Sequence, residues 1–447
     1  MVKMLDTSLE IGIAGPRGIP TVNNLRFLAD SASYVLGRLA PMATGSVVPV
    51  TSGNGSLVMA HGEAAVKQVF TDNDTFHRAN DGMVELPGGH PWSGMFDVVL
   101  MANGLEHRRR RKLLAPVFHS SVMPHYEAMF VRTFERSRFA ARDPGTFDIA
   151  DEFRSIARTN MLVSLLGLPP DGSNLELARR VSDLLNAMFD PTVLMFRRSW
   201  WWTPYSRWIR RVEETYRLLA ALIEARRADP PQDNALSILC HSTDETGRPL
   251  PTPEIAGELH GLFAAGYETT ASAMTWAMLT SLCRPDRDLG DLDGVISETQ
   301  RLLPTLPVSL PRRVTKDVRI AGSPTVPRGA VVFVSPLLEH RDPEVFADPG
   351  EFRPSRWAHL RPSPYVYLPF GIGRRRCPGA AFAELQTRTT LRLILETRPW
   401  RLLTTHADYR TRSGVISFPW RPVLVETGCA RKPVVLTGSV ARLCRPW

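Results

Sequence analysis

A single cysteine in a glycine-rich, basic loop is the residue of this sequence best suited to do chemistry. The loop covers residues 370–379 (FGIGRRRCPG), in which Cys377 follows three arginines. Positive charge lowers a thiol pKa, and the apolar-periodic stretch 380–397 predicts a helix whose positive end faces the sulfur. A thiolate with no second Cys or His at short spacing suits an axial iron ligand better than zinc or an iron–sulfur cluster. The alternative is an inert buried cysteine.

The spacing of this loop resembles the haem-binding loop of the cytochrome P450 family. The fixed positions of that motif are occupied by Phe370, Gly373, Arg375, Cys377 and Gly379. The resemblance implies haem b with Cys377 as its axial thiolate, Phe370 packed beside the sulfur and Arg375 on a haem propionate. The chemistry agrees, because an anionic sulfur ligand donates electron density and favours splitting of the O–O bond.

A second chemical signal interrupts the apolar face of a long predicted helix. This helix is predicted to start at Pro253, after a Thr252 cap, and to run without proline to about Cys283. In its middle an acid and an alcohol, Glu268 and Thr269, follow two small residues. A carboxylate among apolar residues is costly unless it has a role there.

This segment resembles the distal-helix motif of the same family. The resemblance implies that Ala265 and Gly266 kink the helix over the haem, that Thr269 hydrogen-bonds the bound oxygen molecule and that Glu268 relays protons. Such proton delivery is needed in a pocket that otherwise excludes water. In the competing structural interpretation Thr269 bonds to a backbone carbonyl and Glu268 pairs with an arginine. The cysteine loop makes that interpretation the weaker of the two.

Further charged residues fit the same family. The helical pair Glu298 and Arg301, together with Arg356 in the segment FRPSRW, resembles its buried ionic network, whose disruption should prevent haem incorporation. His107 and Arg111, spaced i and i+4, resemble the pair that binds the haem propionates. Arg312 resembles a further propionate ligand, with its neighbour Arg313 as the less favoured alternative.

The composition is that of a basic globular protein. Lys and Arg outnumber Asp and Glu by 54 to 45, the net charge is +9 and the pI is near 9.6. No nucleic-acid-binding motif accompanies this charge, so nucleic acid is not an expected partner. We expect a basic face around the cysteine loop to bind an acidic ferredoxin or flavodoxin-type electron donor, the alternative being a solvated charged surface. The five scattered cysteines indicate reduced thiols.

The fold expected from the resemblance is the cytochrome P450 fold, a mainly α triangular prism with a smaller β-rich lobe. Periodicity predicts early strands near 46–50 and 56–59, a helical mass over 106–284 and later strands at 308–310, 318–320 and 331–335. We expect one domain over residues 1–447, with a core of roughly 15–424 and a tail of 425–447. No signal peptide or membrane-spanning run is visible, which predicts a cytoplasmic protein.

Apolar residues at the family's substrate-contact positions predict a hydrophobic substrate, such as a natural product, terpenoid or fatty-acid-like molecule. These candidate pocket residues are Met83, Leu86, Trp92, Phe96, Phe189, Phe263, Ala264, Leu306, Val308, Val415 and Ile416. A separate aromatic and basic run, 195–211, is predicted to form an entrance lid, to touch a membrane surface, or to be a packed loop.

The resemblance implies a monooxygenase that inserts one atom of O₂ into such a substrate. No flavin or ferredoxin domain is visible, so electrons from NAD(P)H are expected to arrive through separate carriers. Peroxide-driven oxygenation is an alternative, which Glu268 and Thr269 argue against. Desaturation and oxidative coupling at the same site stay open. From another class, the chain could be a haem-based sensor or a silent haem-binding protein.

Overall fold

The computed structural model of the 447-residue chain describes residues 9, 11–79, 86–188, 193, 200–283, 292–412, 415–427 and 434–445. Most of its regular structure is helical. The described helices, α1 to α14 in chain order, are Pro20–Ala29, Ser31–Tyr34, Glu63–Thr71, Gly104–Leu114, Met123–Glu135, Ile149–Met161, Gly172–Met188, Pro204–Ala228, Ala235–Cys240, Thr252–Cys283, Leu292–Leu302, Pro336–Glu339, Ala380–Thr397 and Ser439–Leu443.

Twelve short strands form four small sheets in the described part of the chain. The strands, β1 to β12, are Val47–Thr51, Asn54–Ala60, Phe76–Arg78, Phe147–Asp148, Arg312–Val314, Val318–Arg319, Thr325–Val326, Val331–Val334, Trp400–Leu402, Tyr409–Arg412, Ile416–Pro419 and Leu424–Thr427. The largest sheet has the order β1-β2-β8-β5-β3. The others pair β10 with β11, β6 with β7, and β4 with β12 and β9.

The long helix predicted from the proline-free apolar stripe is confirmed as α10. It runs unbroken from Thr252 to Cys283 and is buried along most of its length. A helix of 32 residues is about 48 Å long, and α10 packs against α6, α8, α11 and α13. It is therefore the element around which the other helices are arranged. No helix of the described residues is long and apolar enough to cross a membrane.

The two halves of the chain meet in the five-stranded sheet. Strand β3 pairs antiparallel with β5, which places Arg78 directly opposite Arg312. Strand β8 lies between β5 and β2, and it is buried on both faces because every residue of Val331–Val334 is apolar. This register brings residues more than 200 positions apart to one edge of the sheet.

Two sequence expectations need correction. Residues 308–310 form no strand, because Pro307 and Pro311 flank them and lack the N–H groups that a ladder requires. The ordered core also extends past residue 424. Strand β12 pairs with both β4 and β9, and the C-terminal Val440 and Cys444 are fully buried in the main hydrophobic cluster. Apolar side chains spaced four apart drive this docking, a signal too short to detect in the sequence.

Candidate functional site

The cysteine loop folds back on itself through two glycines in left-handed conformations. Gly371 has φ +65° and Gly373 has φ +74°. A Cβ at Gly373 would also lie 2.7 Å from the carbonyl oxygen of Phe70, so only glycine fits there. The N–H of Cys377 donates to the Phe370 carbonyl at 2.9 Å. Helix α13 then begins at Ala380, where the sequence predicts it.

The electrostatics of the sulfur differ from the sequence expectation. Burial raises the pKa of the Cys377 thiol, while the Gly379 N–H and the guanidinium groups of Arg111 and Arg376 lower it. Because burial is the larger effect, the predicted lowering is wrong for the polypeptide by itself. A coordinated metal ion deprotonates a bound thiol outright. The donors around the sulfur are thus those that support a thiolate once a metal is present.

The arginines Arg78, Arg312 and Arg375 lie in or beside this loop. Among the described residues, none of the three is seen to bond to a carboxylate. Arg312 is 5% exposed, and its Nε and Nη1 atoms have no hydrogen-bond partner. The Nε of Arg78 is likewise buried and unpartnered. Burial and the charge of Arg375 lower the pKa of Arg312 to about 9 and that of Arg78 to about 10. Buried cations that repel one another are stable only with an anionic partner.

The two carboxylates of haem supply that partner. The single sulfur ligand fits as well, since no group of three or more His, Cys, Asp or Glu side chains in the described residues could hold a bare metal ion. A macrocycle that brings its own nitrogen ligands needs only one axial donor from the protein. The residues present therefore fit haem.

Asn103 joins the elements that carry these cations. It lies just before α4, and its side chain exchanges two hydrogen bonds with the backbone of Arg78, accepting at 2.7 Å and donating at 3.2 Å. The same amide oxygen accepts a bond from Arg375 Nη2 at 2.6 Å. Arg375 also donates to the carbonyl of Ala102 at 2.6 Å. The start of α4, strand β3 and the cysteine loop are thereby fixed relative to one another.

His107 and Arg111 lie on one face of α4, as their spacing predicts. His107 is buried, and burial together with the charges of Arg375 and Arg111 lowers its pKa to about 4. It is therefore neutral at pH 7. Arg111 donates to the carbonyl of Arg376 at 2.7 Å, which ties α4 to the cysteine loop.

The structure places Arg312 and Arg313 in different environments. Arg312 lies inside, with its guanidinium 5.6 Å from the ring centroid of Phe70. Arg313 is only half-buried and donates to the Gly329 carbonyl at 2.5 Å. Alternation along β5 separates the two side chains.

The middle of α10 presents small residues. Ala265 is exposed, Ala264 and Gly266 beside it are part-buried, and Phe263 and Tyr267 one position further along are buried. A Cβ at Gly266 would meet the Cε and Sδ atoms of Met161 on α6, so this glycine leaves room for the end of that side chain. The implied kink at these residues is not visible as a break in helical hydrogen bonding.

The acid and the alcohol of α10 have partners in this structure. Glu268 accepts a hydrogen bond from Arg154 Nε on α6 at 3.1 Å, and Arg154 also pairs with the exposed Asp151 at 2.9 Å. Thr269 Oγ1 donates to the Ala265 carbonyl at 2.5 Å. These are the contacts of the competing structural interpretation. Both side chains are only part-buried, and each would have to leave its partner in order to relay a proton.

Glu298, Arg301 and Arg356 are brought together as a buried network. Arg301 donates to both carboxylate oxygens of Glu298 at 2.8 and 2.9 Å, and Arg356 Nε donates at 3.0 Å. Trp357 Nε1 adds a bond of 3.0 Å to the same carboxylate. Further donors of Arg301 bind backbone carbonyls, including that of His340 at 2.9 Å. Every charge here has a close partner, as burial demands.

The candidate substrate residues are distributed between core and surface. Leu86, Phe263 and Val308 are buried, whereas Trp92, Ala264, Leu306, Val415 and Ile416 are part-buried. Met83 and Phe189, as well as the side chain of Phe96, lie outside the described residues. Trp92 packs against Tyr216 with ring centroids 5.1 Å apart. It also lines a cavity of about 200 Å³ with His90, Pro91, Glu213 and Arg217.

Sequence reasoning missed Arg78, Asn103 and Arg154. Arg78 becomes visible only through its register opposite Arg312. Asn103 gave a weak signal, because Asn is a preferred residue at helix starts, although its side chain makes no capping bond here. The pairing of Arg154 with Glu268 could not be predicted from spacing in the sequence, because it depends on how α6 crosses α10.

Comparison with known proteins gives a consistent result. Residues 13–287 and 288–418 match the family model described as Cytochrome P450. The Mycobacterium tuberculosis protein designated cytochrome P450 138 is 32% identical over 330 residues, which cover 69% of this chain and 73% of that protein. The protein designated cytochrome P450 135B1 from the same organism is 30% identical over 408 residues, covering 85% of this chain and 84% of that protein.

A solved structure with the same fold is that of retinoic-acid-bound cyanobacterial CYP120A1. The match covers 94% of this chain and 100% of that one, with a TM-score of 0.71 and 21% sequence identity. At this identity the likeness establishes the fold, and the expected fold class is confirmed.

Proposed function

Because the chain belongs to the cytochrome P450 family and is a haem-thiolate monooxygenase of that family, we propose that it oxidises a hydrophobic small molecule with electrons from separate redox partners. The observation that carries the site assignment is that Arg78 and Arg312, beside the Cys377 loop, both have buried guanidinium nitrogen atoms without a hydrogen-bond partner. These unsatisfied N–H groups match a ligand that carries two carboxylates.

Haem supplies the iron at which molecular oxygen is activated. Cys377 would hold the iron through its sulfur, and the Gly379 N–H and the Arg111 and Arg376 cations would stabilise the sulfur anion. Arg78, Arg312 and Arg375 would bind the haem propionates through charge-assisted hydrogen bonds. Neutral His107 would contribute a further hydrogen bond to a propionate.

Glu268 and Thr269 deliver protons in this proposal. The carboxyl group of Glu268 is held by Arg154, which in turn contacts Asp151 at the surface. Arg154 is thus a positioning residue that connects the acid to solvent. Rotation of Glu268 away from Arg154 and of Thr269 away from the Ala265 carbonyl would turn both groups toward the substrate side of α10. Retention of this pair favours O₂ over peroxide as the oxidant.

The electron donor is proposed to be an acidic ferredoxin or flavodoxin. Arg108, Lys112, Arg374 and Arg376 are all exposed, and the α4–loop hydrogen bond from Arg111 to Arg376 brings their two segments together. A positive surface of this kind steers a negatively charged partner toward the sulfur side of the haem. Electrons would originate from NAD(P)H.

The substrate is proposed to be lipophilic. Buried Leu86, Phe263 and Val308 offer apolar surface, and part-buried Trp92 offers an aromatic wall. The CYP120A1 structure contains retinoic acid, a lipophilic carboxylic acid. This compound is therefore a reasonable first probe.

The proposal is tested with the haem-loaded protein, NADPH, surrogate ferredoxin and reductase, and isotopically labelled O₂. Lipophilic compounds are first screened for displacement of iron-bound water, and those that bind are then incubated aerobically. We expect NADPH consumption to rise with a bound ligand and one labelled oxygen atom to enter the product. No ligand-dependent consumption would indicate a sensor or silent protein. Products without labelled oxygen would indicate desaturation or coupling.

A further inference from the structure

Three consecutive tryptophans lie on the surface just before α8. The exposed fractions of Trp200, Trp201 and Trp202 are 53%, 80% and 57%. Tryptophan is normally among the most buried residues on average, and a cluster of exposed apolar side chains usually marks an interaction surface. The alternative of a packed loop is therefore wrong for these three residues.

The local structure holds the tryptophans outward. Both the N–H and the hydroxyl of Thr203 donate to the Trp200 carbonyl, at 3.0 and 2.9 Å. Thr203 Oγ1 in turn accepts the Ser206 N–H at 3.1 Å and caps α8. Thr203 and Trp208 are 3% and 2% exposed, so they anchor the turn in the core. The exposure of the tryptophans is thus a consequence of a well-fixed turn.

Positive charge lies beside these rings. Arg207, Arg210 and Arg211 occupy one face of the first two turns of α8, and all three are exposed. Arg210 donates to the Trp201 carbonyl at 3.3 Å, which joins the helix to the aromatic turn. Within the described part of the chain, neither Arg207 nor Arg211 has a recorded carboxylate partner. The positive end of α8 adds to the same field.

The nearest acidic residues of α8 do not neutralise this charge. Glu213 accepts from His90 at 3.2 Å, and Glu214 pairs with Arg180 at 3.4 Å. Both carboxylates are therefore engaged with other elements. The surface formed by Trp200, Trp201, Trp202, Arg207, Arg210 and Arg211, here termed the Trp–Arg patch, keeps a net positive charge next to an apolar cluster.

We propose that the Trp–Arg patch binds the protein peripherally to an anionic phospholipid surface. Tryptophan rings prefer the headgroup level of a bilayer, where the indole N–H stays hydrated while the ring leaves water. Exposed arginines add attraction to anionic lipids, and aromatic and basic residues together are typical of interfacial segments. The exposed tryptophans and the exposed arginines are two independent observations, and both are expected of an interfacial segment. The inference does not rest on the oxidised substrate or on the redox partner.

The test is sedimentation of the haem-loaded protein with vesicles of phosphatidylcholine alone or mixed with phosphatidylglycerol. We expect binding to the mixed vesicles, weak binding to the neutral ones and release by salt, since surface charge is screened. The triple variant W200A/W201A/W202A should bind at least roughly tenfold more weakly. Each of Arg207→Gln and Arg211→Gln should weaken binding roughly fivefold at low salt.

The matched control is Trp420→Ala. Trp420 is 54% exposed and lies 5.1 Å from the Arg410 guanidinium, so it is a surface tryptophan beside an arginine outside the patch. Its loss should leave vesicle binding unchanged. Absence of binding by the wild type, or equal loss in W420A and the triple variant, would overturn the proposal. A dimer that the triple variant converts to a monomer, without vesicle binding, would show that a second copy covers the patch instead. Haem content verifies folding throughout.

Discussion

Arg312 and Arg313 are neighbours in sequence with different surroundings in the fold. The buried Arg312 has two unpartnered nitrogen atoms, whereas Arg313 binds the Gly329 carbonyl. We therefore expect Arg312→Gln to speed the loss of haem. A hydrogen bond to a charged group contributes about 1.5–3 kcal/mol, which corresponds to at least roughly tenfold in the dissociation rate.

The measurement is transfer of haem to an excess of apomyoglobin, followed by absorbance. Arg313→Gln is the matched control and should change the rate less than about twofold. Arg78→Gln should change the rate in the same direction as Arg312→Gln, because Arg78 lies opposite Arg312 and also has a buried Nε atom without a partner. Equal rates for the Arg312 and Arg313 variants would contradict the assignment.

Glu268 provides a second test at the residue scale. If it relays protons, Glu268→Gln should lower kcat by roughly 10²-fold, raise the fraction of electrons lost as peroxide and leave KM nearly unchanged. Asp151→Asn is the control, since Asp151 contacts the same Arg154 from the solvent side. Its kcat should stay within about twofold. If the fraction of electrons lost as peroxide were unchanged in the Glu268 variant, the ion pair between Glu268 and Arg154 would be a structural contact only.

Some residues of the candidate site could be predicted from the sequence and others could not. Local motifs predict Cys377, Arg375 and Arg312 as haem-binding residues, since each lies at a fixed spacing from recognisable neighbours. The same motifs could not find Arg78 or Arg154, because their partners come from strand register and helix crossing. Nor could they predict the sign of the Cys377 pKa shift, which depends on burial as well as nearby charge.

At the scale of an element, the cysteine loop depends on its two left-handed glycines. Gly371→Ala introduces only conformational strain, about 1–2 kcal/mol, because nothing lies within 4 Å of the new Cβ. Gly373→Ala adds a clash with the Phe70 carbonyl at 2.7 Å, and backbone cannot move aside. We expect urea unfolding to show the larger destabilisation, together with lower haem content, for Gly373→Ala. A reversed order would contradict the loop geometry.

The helices were the elements best predicted from sequence. Helix α13 spans 380–397 as expected, and α10 begins within one residue of the predicted start. Both have uninterrupted apolar periodicity and clear breakers at their ends. The short segments were harder, because three or four residues carry too little pattern to separate the coil at 308–310 from β5 next to it.

At the scale of the whole molecule, buried histidines make stability depend on pH. Burial lowers the pKa of His107 and of His260 to about 4, and that of His340 to about 3. His340 is held neutral between two backbone groups, accepting the Leu368 N–H at 2.7 Å and contacting the Arg301 carbonyl at 3.1 Å.

Below pH 6.5 the unfolded chain binds protons at these histidines and the folded chain does not. The free energy of unfolding should therefore fall as pH is lowered from about 6.5 to about 4, by up to about 1.4 kcal/mol per pH unit for each histidine. Urea titrations at several pH values measure this slope. Burial also raises the pKa of Glu258 to about 7, which opposes this fall over much of the same window. A free energy of unfolding that rises steadily from pH 6.5 to pH 4 would contradict neutral burial of the three histidines.

The most direct test of the account is the carbon monoxide difference spectrum of the reduced protein. We predict the long-wavelength Soret band of a thiolate-ligated carbonyl complex for the wild type and for the control Cys240→Ala, whose cysteine is buried elsewhere. In Cys377→Ser this band should vanish. If it persisted at full intensity in the Cys377 variant, the sulfur at position 377 would not be the iron ligand and the assignment of the site would be wrong.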